Sequence, residues 1–452
     1  MNESSWICCQ LGAREHYAIP RAVYRSHALD QLITDAWLRP RFAAANPAFG
    51  GSGVAERFHS ELRDARVTAF NWSLITFEML ARVRGLRGWP LIMARNNWFE
   101  RKACDWLRRN ADTLKAEKLE GNAEKLKSET LKTEVTFRNA DTLKAETRKT
   151  EAIIFAYSYA AREIFRFAKQ RGWRTVLGQI DPGPVEEKIV AEEAARVPEL
   201  AGDWQPVPPE YWNNWQEECS LADHIIVNSE WSRAALIKGG VSGEKLSVIP
   251  LAYESPITDT QITRSYPAHF TRDRPLRVLF LGQVNLRKGV ARLFDAIRQL
   301  KNEPIEFLFV GPVQVAVPED LKNNARVHWF GAVPRATTSD FYRNADVLIF
   351  PTLSDGFGLT QLEAQAHSLP VIASRYSGEV VKRGVNGLLL DQPTADAIVE
   401  ALRFCLADPS RLAAFSAASR VEDRFSIDAL GENLLSLTDR LDDTEVVPPL
   451  NN

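Results

Sequence analysis

Short apolar runs alternate along this chain with longer stretches in which apolar residues recur every three or four positions. The first pattern suits buried strands and the second suits helices with one apolar face. In the first half the strand-like runs are Trp6–Leu11, Ile153–Tyr157, Thr175–Gly178, Asp223–Ser229 and Leu246–Pro250. A helix is expected on Ala160–Ala168, and Ser229 is placed to cap the helix that follows it. In the second half the runs are Leu279–Gly282, Phe307–Gly311, Val327–Gly331, Asp346–Phe350 and Pro370–Ser374. Leu359, Leu362, Ala366 and Leu369 then recur at helical spacing, and helices are expected on Ala395–Leu406 and Ile427–Leu441. Strand and helix alternating this way predict an α/β fold with parallel sheets.

One stretch breaks the pattern. Arg109–Glu117 recurs unchanged as Arg138–Glu146, and residues 109–151 are mostly Lys, Glu, Thr and Leu. Leu114, Leu119, Leu126 and Leu131 are too sparse for a heptad seam. This reads as a low-complexity insertion, either tolerated or serving as an interaction arm.

Length and composition bound the rest. At 452 residues the chain exceeds a typical single core, so two domains are expected, 1–255 and 276–425, joined by a linker at 256–275 rich in Thr, Pro and charge. The net charge of −2 gives no argument for nucleic acid as a partner. No apolar run is long enough to span a bilayer, and the Met1–Cys9 start lacks the basic and apolar regions of a signal peptide. Cys8, Cys9, Cys104, Cys219 and Cys405 show no metal-ligand spacing, so no metal is expected and reduced thiols of a cytoplasmic protein are the plain reading.

The most informative stretch is Phe350–Ala364, where Pro351 stops a strand and a glycine loop opens a helix between two carboxylates, Asp355 and Glu363. A helix start after such a loop offers free N–H groups and the positive end of the helix dipole to phosphate. A carboxylate one turn further in suits sugar hydroxyls instead. The two together point to a ligand carrying both phosphate and sugar. This stretch resembles the signature of the family-four retaining glycosyltransferases (group 1), usually Glu-Gly-Phe-Gly with a second Glu eight positions on. The resemblance covers roughly 275–410: Leu279–Gly282 followed by Arg287-Lys288-Gly289, then Phe307–Gly311, Val327–Gly331, Pro370–Ser374 and Asn386–Leu389, in the family's order.

The resemblance implies the GT-B fold, two Rossmann-like domains facing a cleft, with the final stretch 426–452 crossing back to the N-terminal domain. It implies that Lys288 contacts the leaving diphosphate, with Arg287 replacing a family arginine whose place is taken by Gln283. Asp355 would lie beside the donor sugar and Glu363 on the ribose. Gly282 and the backbone of Gly358, Leu359 and Thr360 would line the phosphates, and Gly12 and Ala13 would form the N-terminal glycine loop. The family's histidine near the reacting sugar has no match; Tyr157, Asp181 or His16 are the acceptor-side candidates. Plain alternatives stand beside five of these: a solvated lysine at a helix start for Lys288, a surface arginine for Arg287, a helix-surface glutamate for Glu363, a turn aspartate for Asp181 and a helix-surface residue for His16.

The implied activity is transfer of a sugar from a nucleotide diphosphate sugar to a glycan, polysaccharide-precursor or lipid acceptor, without metal or other cofactor. Peripheral contact with the inner face of a membrane is compatible with it. Two other readings compete: a degenerate nucleotide-sugar-binding protein, suggested by Gln283, Asp355 and the missing histidine, and a different GT-B enzyme such as a phosphorylase or epimerase.

Overall fold

The computed structural model describes residues 5–38, 57–130, 152–202, 204–255 and 262–443. The strands are β1 (Ser5–Gln10), β2 (Leu29–Thr34), β3 (Val67–Ala69), β4 (Ala152–Tyr157), β5 (Arg174–Gly178), β6 (His224–Val227) and β7 (Leu246–Val248), then β8 (Leu276–Leu281), β9 (Ile305–Val310), β10 (Val327–Gly331), β11 (Val347–Phe350), β12 (Val371–Ser374) and β13 (Gly387–Leu390). They form a seven-stranded sheet in the order β3-β2-β1-β4-β5-β6-β7 and a six-stranded sheet in the order β10-β9-β8-β11-β12-β13. In the first sheet β1 lies parallel between β2 and β4, with Cys8 opposite Leu32 on one side and Phe155 on the other. In the second, β8 lies parallel between β9 and β11. Strands flanked on both sides and covered on both faces are apolar along their whole length, which is why Trp6–Cys9 and Val347–Phe350 are buried throughout.

Tertiary packing groups residues 1–178, 208–225 and 431–452 into one unit, and 179–207 and 226–430 into another. The helix Pro184–Arg196, assigned by its place in the sequence to the N-terminal domain, packs with the second unit. Val190, Ala194, Val197 and Leu200 join the core built on Val278, Phe280 and Phe309, and Glu193 pairs with Arg292 at 2.8 Å. The expected linker is partly pinned as well. Arg264 donates to the carbonyls of His367 and Ala345 at 2.9 and 2.6 Å, and Arg274 pairs with Asp346 at 2.6 Å. Within the first unit, a methyl group on Gly431 would lie 3.4 Å from the Ser26 hydroxyl and 3.5 Å from the Ala22 carbonyl oxygen.

The expected insertion begins later than residue 109. The helix Gly88–Thr130 runs through it; Ala103, Leu107 and Ala111 are fully buried along one face, and Asp112 pairs with Arg171 at 2.5 Å. The first copy of the repeat therefore starts inside a packed helix. Its second copy and the tail beyond Asp443 lie outside the described residues. Among the described residues no helix is long and apolar enough to cross a membrane.

Candidate active site

In the second unit β8 ends at Leu281, and the chain turns through Gly282 and Asn285 into a short 3-10 turn, Leu286–Lys288. The Asn285 side chain accepts from the Lys288 N–H at 3.1 Å and caps the turn. Gly289 follows with φ +72°, and a methyl group there would sit 2.0 Å from the Pro351 carbonyl oxygen. Only glycine satisfies both the left-handed torsion and the close approach. The effect is to press the Lys-Gly turn against the end of β11. The Leu353 N–H and Thr352 hydroxyl both donate to the Arg287 carbonyl, at 2.9 and 3.1 Å.

This packing aims two adjacent cations the same way. Arg287 reaches the Asp355 carboxylate at 3.1 Å, and the Lys288 ammonium bonds the same oxygen while lying 4.7 Å from the centre of the Phe350 ring. The Phe357 N–H donates to the other oxygen at 3.1 Å. Burial opposes the Asp355 charge, yet Lys288 and Arg287 hold its carboxyl well below the usual range. Burial lowers the Lys288 pKa, with Asp355 working against it. For Arg287 burial also works against the charge, but Asp355 and Glu186 overcome it and hold the guanidinium above its ordinary value.

A second carboxyl completes the cluster, and the sequence did not point to it. Glu186, in the first turn of Pro184–Arg196, accepts from the Ser354 hydroxyl at 2.9 Å and lies 3.7 Å from Arg287 Nε. Ser354 in turn accepts from Trp231 Nε1 at 3.0 Å. Burial, opposed by Arg287 and reinforced by Asp181 and Asp355, pushes Glu186 up to about 8. Asp181 is both a turn aspartate and a neighbour of this cluster. Its Oδ1 accepts from the Gly183 N–H at 2.9 Å, and its charge acts on Arg287.

The loop after Asp355 leads into the helix Thr360–Ala366 through Gly358, whose φ is +85°. The Thr360 hydroxyl is buried without a partner among the described residues, an unsatisfied polar group at the helix start. One turn on, half-buried Glu363 accepts from the Tyr342 hydroxyl at 2.5 Å. Tyr342 stacks on His367, which donates from Nδ1 to the Glu363 carbonyl at 2.7 Å and accepts from Ser339 at 2.9 Å. One Glu363 oxygen is thereby held by tyrosine. Gln283 is exposed and uncharged, and its side-chain oxygen accepts from Asn285 at 3.3 Å.

Gly12, Ala13, His16 and Tyr157 belong to the first unit. Gly12 has φ +80° and its N–H donates to Asp35 at 3.0 Å. Ala13 precedes the turn Arg14–Tyr17, in which Glu15, His16 and Tyr17 all take positive φ values of 51–60°. Three such residues in succession are strained. The strain turns Glu15 toward Tyr157, whose hydroxyl donates to it at 3.2 Å under the Arg14 guanidinium. Burial pushes Glu15 up to about 7, against Arg14 and the tyrosine bond; burial and Glu15 push Tyr157 far above its ordinary value. His16 is exposed. Glu15, unlike its neighbour His16, was not singled out in the sequence. Among the described residues no group of His, Cys, Asp or Glu is gathered as a metal site.

Two parallel Rossmann-like sheets, with a cation pair and a glycine-opened helix after β8 and β11, define a GT-B fold. Residues 262–422 match the family Glycosyl transferases group 1. A D-inositol 3-phosphate glycosyltransferase of Xylanimonas cellulosilytica is 36% identical over 34% of this chain and 39% of its own length. A sucrose synthase of Denitrovibrio acetiphilus is 31% identical over 27% of this chain and 17% of its own. The chain thus spans less than half the length of each of these relatives. Among solved structures, the sucrose-phosphate synthase of Thermosynechococcus elongatus superposes with a TM-score of 0.58 over 97% of this chain and 99% of its own, at 18% identity. Anabaena HepE, solved with UDP and glucose, does so at 0.54 over 96% of this chain and 100% of its own, at 14% identity.

Proposed function

We propose that this chain is a retaining glycosyltransferase that moves a sugar from a nucleotide diphosphate sugar to a carbohydrate or lipid-linked acceptor. The observation that carries the reading is the convergence of Arg287 and Lys288 on Asp355, beside the loop that opens the helix Thr360–Ala366. When the bond from the sugar to the diphosphate breaks, negative charge develops on the leaving oxygen. Fixed cations in a site shielded from water stabilise that charge with little reorganisation.

Lys288 and Arg287 are held ready by Asp355 and transfer to the diphosphate when the donor binds. The unpartnered Thr360 hydroxyl gains an acceptor from the same phosphates. Asp355, released from the cations, faces the sugar, and Glu363 uses the oxygen that Tyr342 leaves open to accept from the ribose. In front-face transfer the leaving phosphate takes the acceptor proton, so the family's missing histidine does not preclude turnover. Uridine diphosphate sugars are the first donors to try, since a protein of the same fold was solved with UDP and glucose. Against the reading as a binding protein without turnover, which Gln283 and the missing histidine suggested, both cations and Glu363 are in place.

The test is Lys288→Ala, assayed for release of nucleoside diphosphate from a panel of nucleotide sugars and separately for nucleotide binding. Loss of a donor aimed at developing charge predicts a fall in turnover of about 10²–10³, with a much smaller loss of affinity. Equal losses in both would remove Lys288 from the leaving-group role. Absence of nucleotide release from the native protein with every donor and acceptor tried would contradict transfer itself.

A further inference from the structure

The helix Asn71–Val83 in the first unit has two apolar faces on opposite sides. One is its packing face: Leu74 and Ala81 are buried, Phe77 stacks on Trp98 at 5.4 Å, and Trp98 Nε1 donates to Ser73 at 3.2 Å. The other is formed by Trp72, Met79 and Val83, at helical spacings of seven and four, with Leu80 at its edge. These are 77%, 62%, 84% and 49% exposed. With Ile92, five of the eleven large hydrophobic residues exposed among the described residues fall in this one stretch. A helix needs one apolar stripe to pack, so the second is not explained by folding, and such exposed patches mark interaction surfaces.

The charge around this face selects its partner. Arg82, Arg84 and Arg87 are all exposed in the same stretch. Between residues 71 and 95 the only acid is Glu78, and it pairs with Arg95 at 2.5 Å. The segment is thus strongly basic in a chain whose net charge is −2. Tryptophan prefers the boundary between water and lipid, and arginines beside an apolar face favour anionic headgroups. The four exposed side chains of one 13-residue helix are few against the ~800 Å² that each partner brings to a stable protein interface.

We infer that the Trp72–Met79–Val83 face, with Arg82, Arg84 and Arg87, docks this protein on an anionic phospholipid surface. The helix lies along the headgroup boundary and does not cross it, with its apolar stripe in the acyl region and the arginines on lipid phosphates. The inference stands apart from the donor site, because it is read by lipid binding alone.

The full chain is co-sedimented with vesicles of phosphatidylcholine and of phosphatidylcholine mixed with phosphatidylglycerol, at low and high salt. The native protein is expected on the anionic vesicles, with binding weakened by salt. Replacing Arg82, Arg84 and Arg87 together with Gln should weaken anionic binding by about a hundredfold, at one cation's contribution for each. Replacing Trp72, Met79 and Val83 together with Ser should reduce binding to both vesicle types. Brominated lipid should quench native tryptophan emission, and Trp72→Phe, which keeps a large apolar ring, should remove most of that quenching while retaining binding. The last variant keeps the inference testable if the triple serine variant fails to fold. Native protein left in the supernatant with anionic vesicles, or an arginine variant that binds like the native chain, would overturn it. A lipid-free dimer that the serine variant converts to monomer would also overturn it, by showing that a second copy covers the face.

Discussion

Asp355→Asn should make the empty protein less stable and yet bind nucleoside diphosphate more tightly. In the structure the Asp355 carboxylate neutralises both Arg287 at 3.1 Å and the Lys288 ammonium, with all three side chains largely buried. Removing one partner of a buried ion pair costs about 3–5 kcal/mol, because the other charge is left uncompensated. Arg287 retains Glu186 at 3.7 Å and the Ser354 carbonyl at 3.4 Å, so about 2–4 kcal/mol is a better expectation here. At about 2–4 °C per kcal/mol, the second unit should melt roughly 5–15 °C lower. A diphosphate no longer has to displace a carboxylate from these cations, so its affinity should rise by about tenfold, equivalent to about 1.4 kcal/mol. The intact nucleotide sugar should gain less, since Asp355 also faces the sugar. Thermal unfolding of the apo protein and calorimetric titration with uridine diphosphate measure the two effects. An unchanged melting point together with weaker diphosphate binding would show that Asp355 does not hold the cations in reserve for phosphate.

Further outcomes follow from the same structure. Gly289→Ala places a methyl group 2.0 Å from the Pro351 oxygen at φ +72° and should cost about 2–4 kcal/mol in denaturant unfolding. Gly240→Ala, at φ +94° with open space around it, should cost only about 1–2 kcal/mol; equal losses would refute the close-approach argument. Glu363→Ala should weaken uridine diphosphate by about 10–100-fold, as expected for a charged hydrogen bond worth about 1.5–3 kcal/mol. It should leave a 2′,3′-dideoxy analogue unaffected, and equal loss for both analogues would take Glu363 off the ribose. Burial pushes Glu186 to about 8 and Glu15 to about 7, from an ordinary 4.5, and it pushes Glu218, which sits in the helix Pro209–Leu221 and accepts from the Tyr159 and Ala161 N–H groups at 2.7 and 2.9 Å, to about 8. Each therefore holds its proton more tightly folded than unfolded. Their contribution is complete below 4.5 and is lost as pH rises through 7 to 8. The melting point should fall between about pH 5 and about pH 8.5, and a rise across that window would contradict these assignments.

The second sheet was legible because its strands are buried on both faces and read as unbroken apolar runs ended by glycine or proline. Lys288, Asp355 and Glu363 were singled out through the family resemblance of the segments around Gly289, Gly356 and Gly358, and the structure brings Lys288 and Asp355 into contact. Arg287 could not be aimed from sequence, since the direction of two neighbours on a 3-10 turn depends on the Pro351 carbonyl packed beneath Gly289. Glu186 was hidden for a related reason. It stands beside Glu187 in one helical turn, and only the docking of Pro184–Arg196 onto the second unit decides which carboxyl turns to Ser354. Glu15 depends on three consecutive left-handed residues, a backbone path that no local pattern in Arg14–Tyr17 announces. The Trp72 face was missed because both stripes of its helix are apolar, and periodicity alone reads either as core.

We propose that the second unit binds a nucleotide diphosphate sugar through Arg287, Lys288 and Glu363. It is tested most directly by the melting point of the native protein against uridine, guanosine, adenosine and thymidine diphosphates and their sugars. One base should stand out, adding about 2.7 kcal/mol at a hundredfold its dissociation constant, and Lys288→Ala should shrink that shift. A panel that is flat for every base at saturating concentration would contradict the donor site.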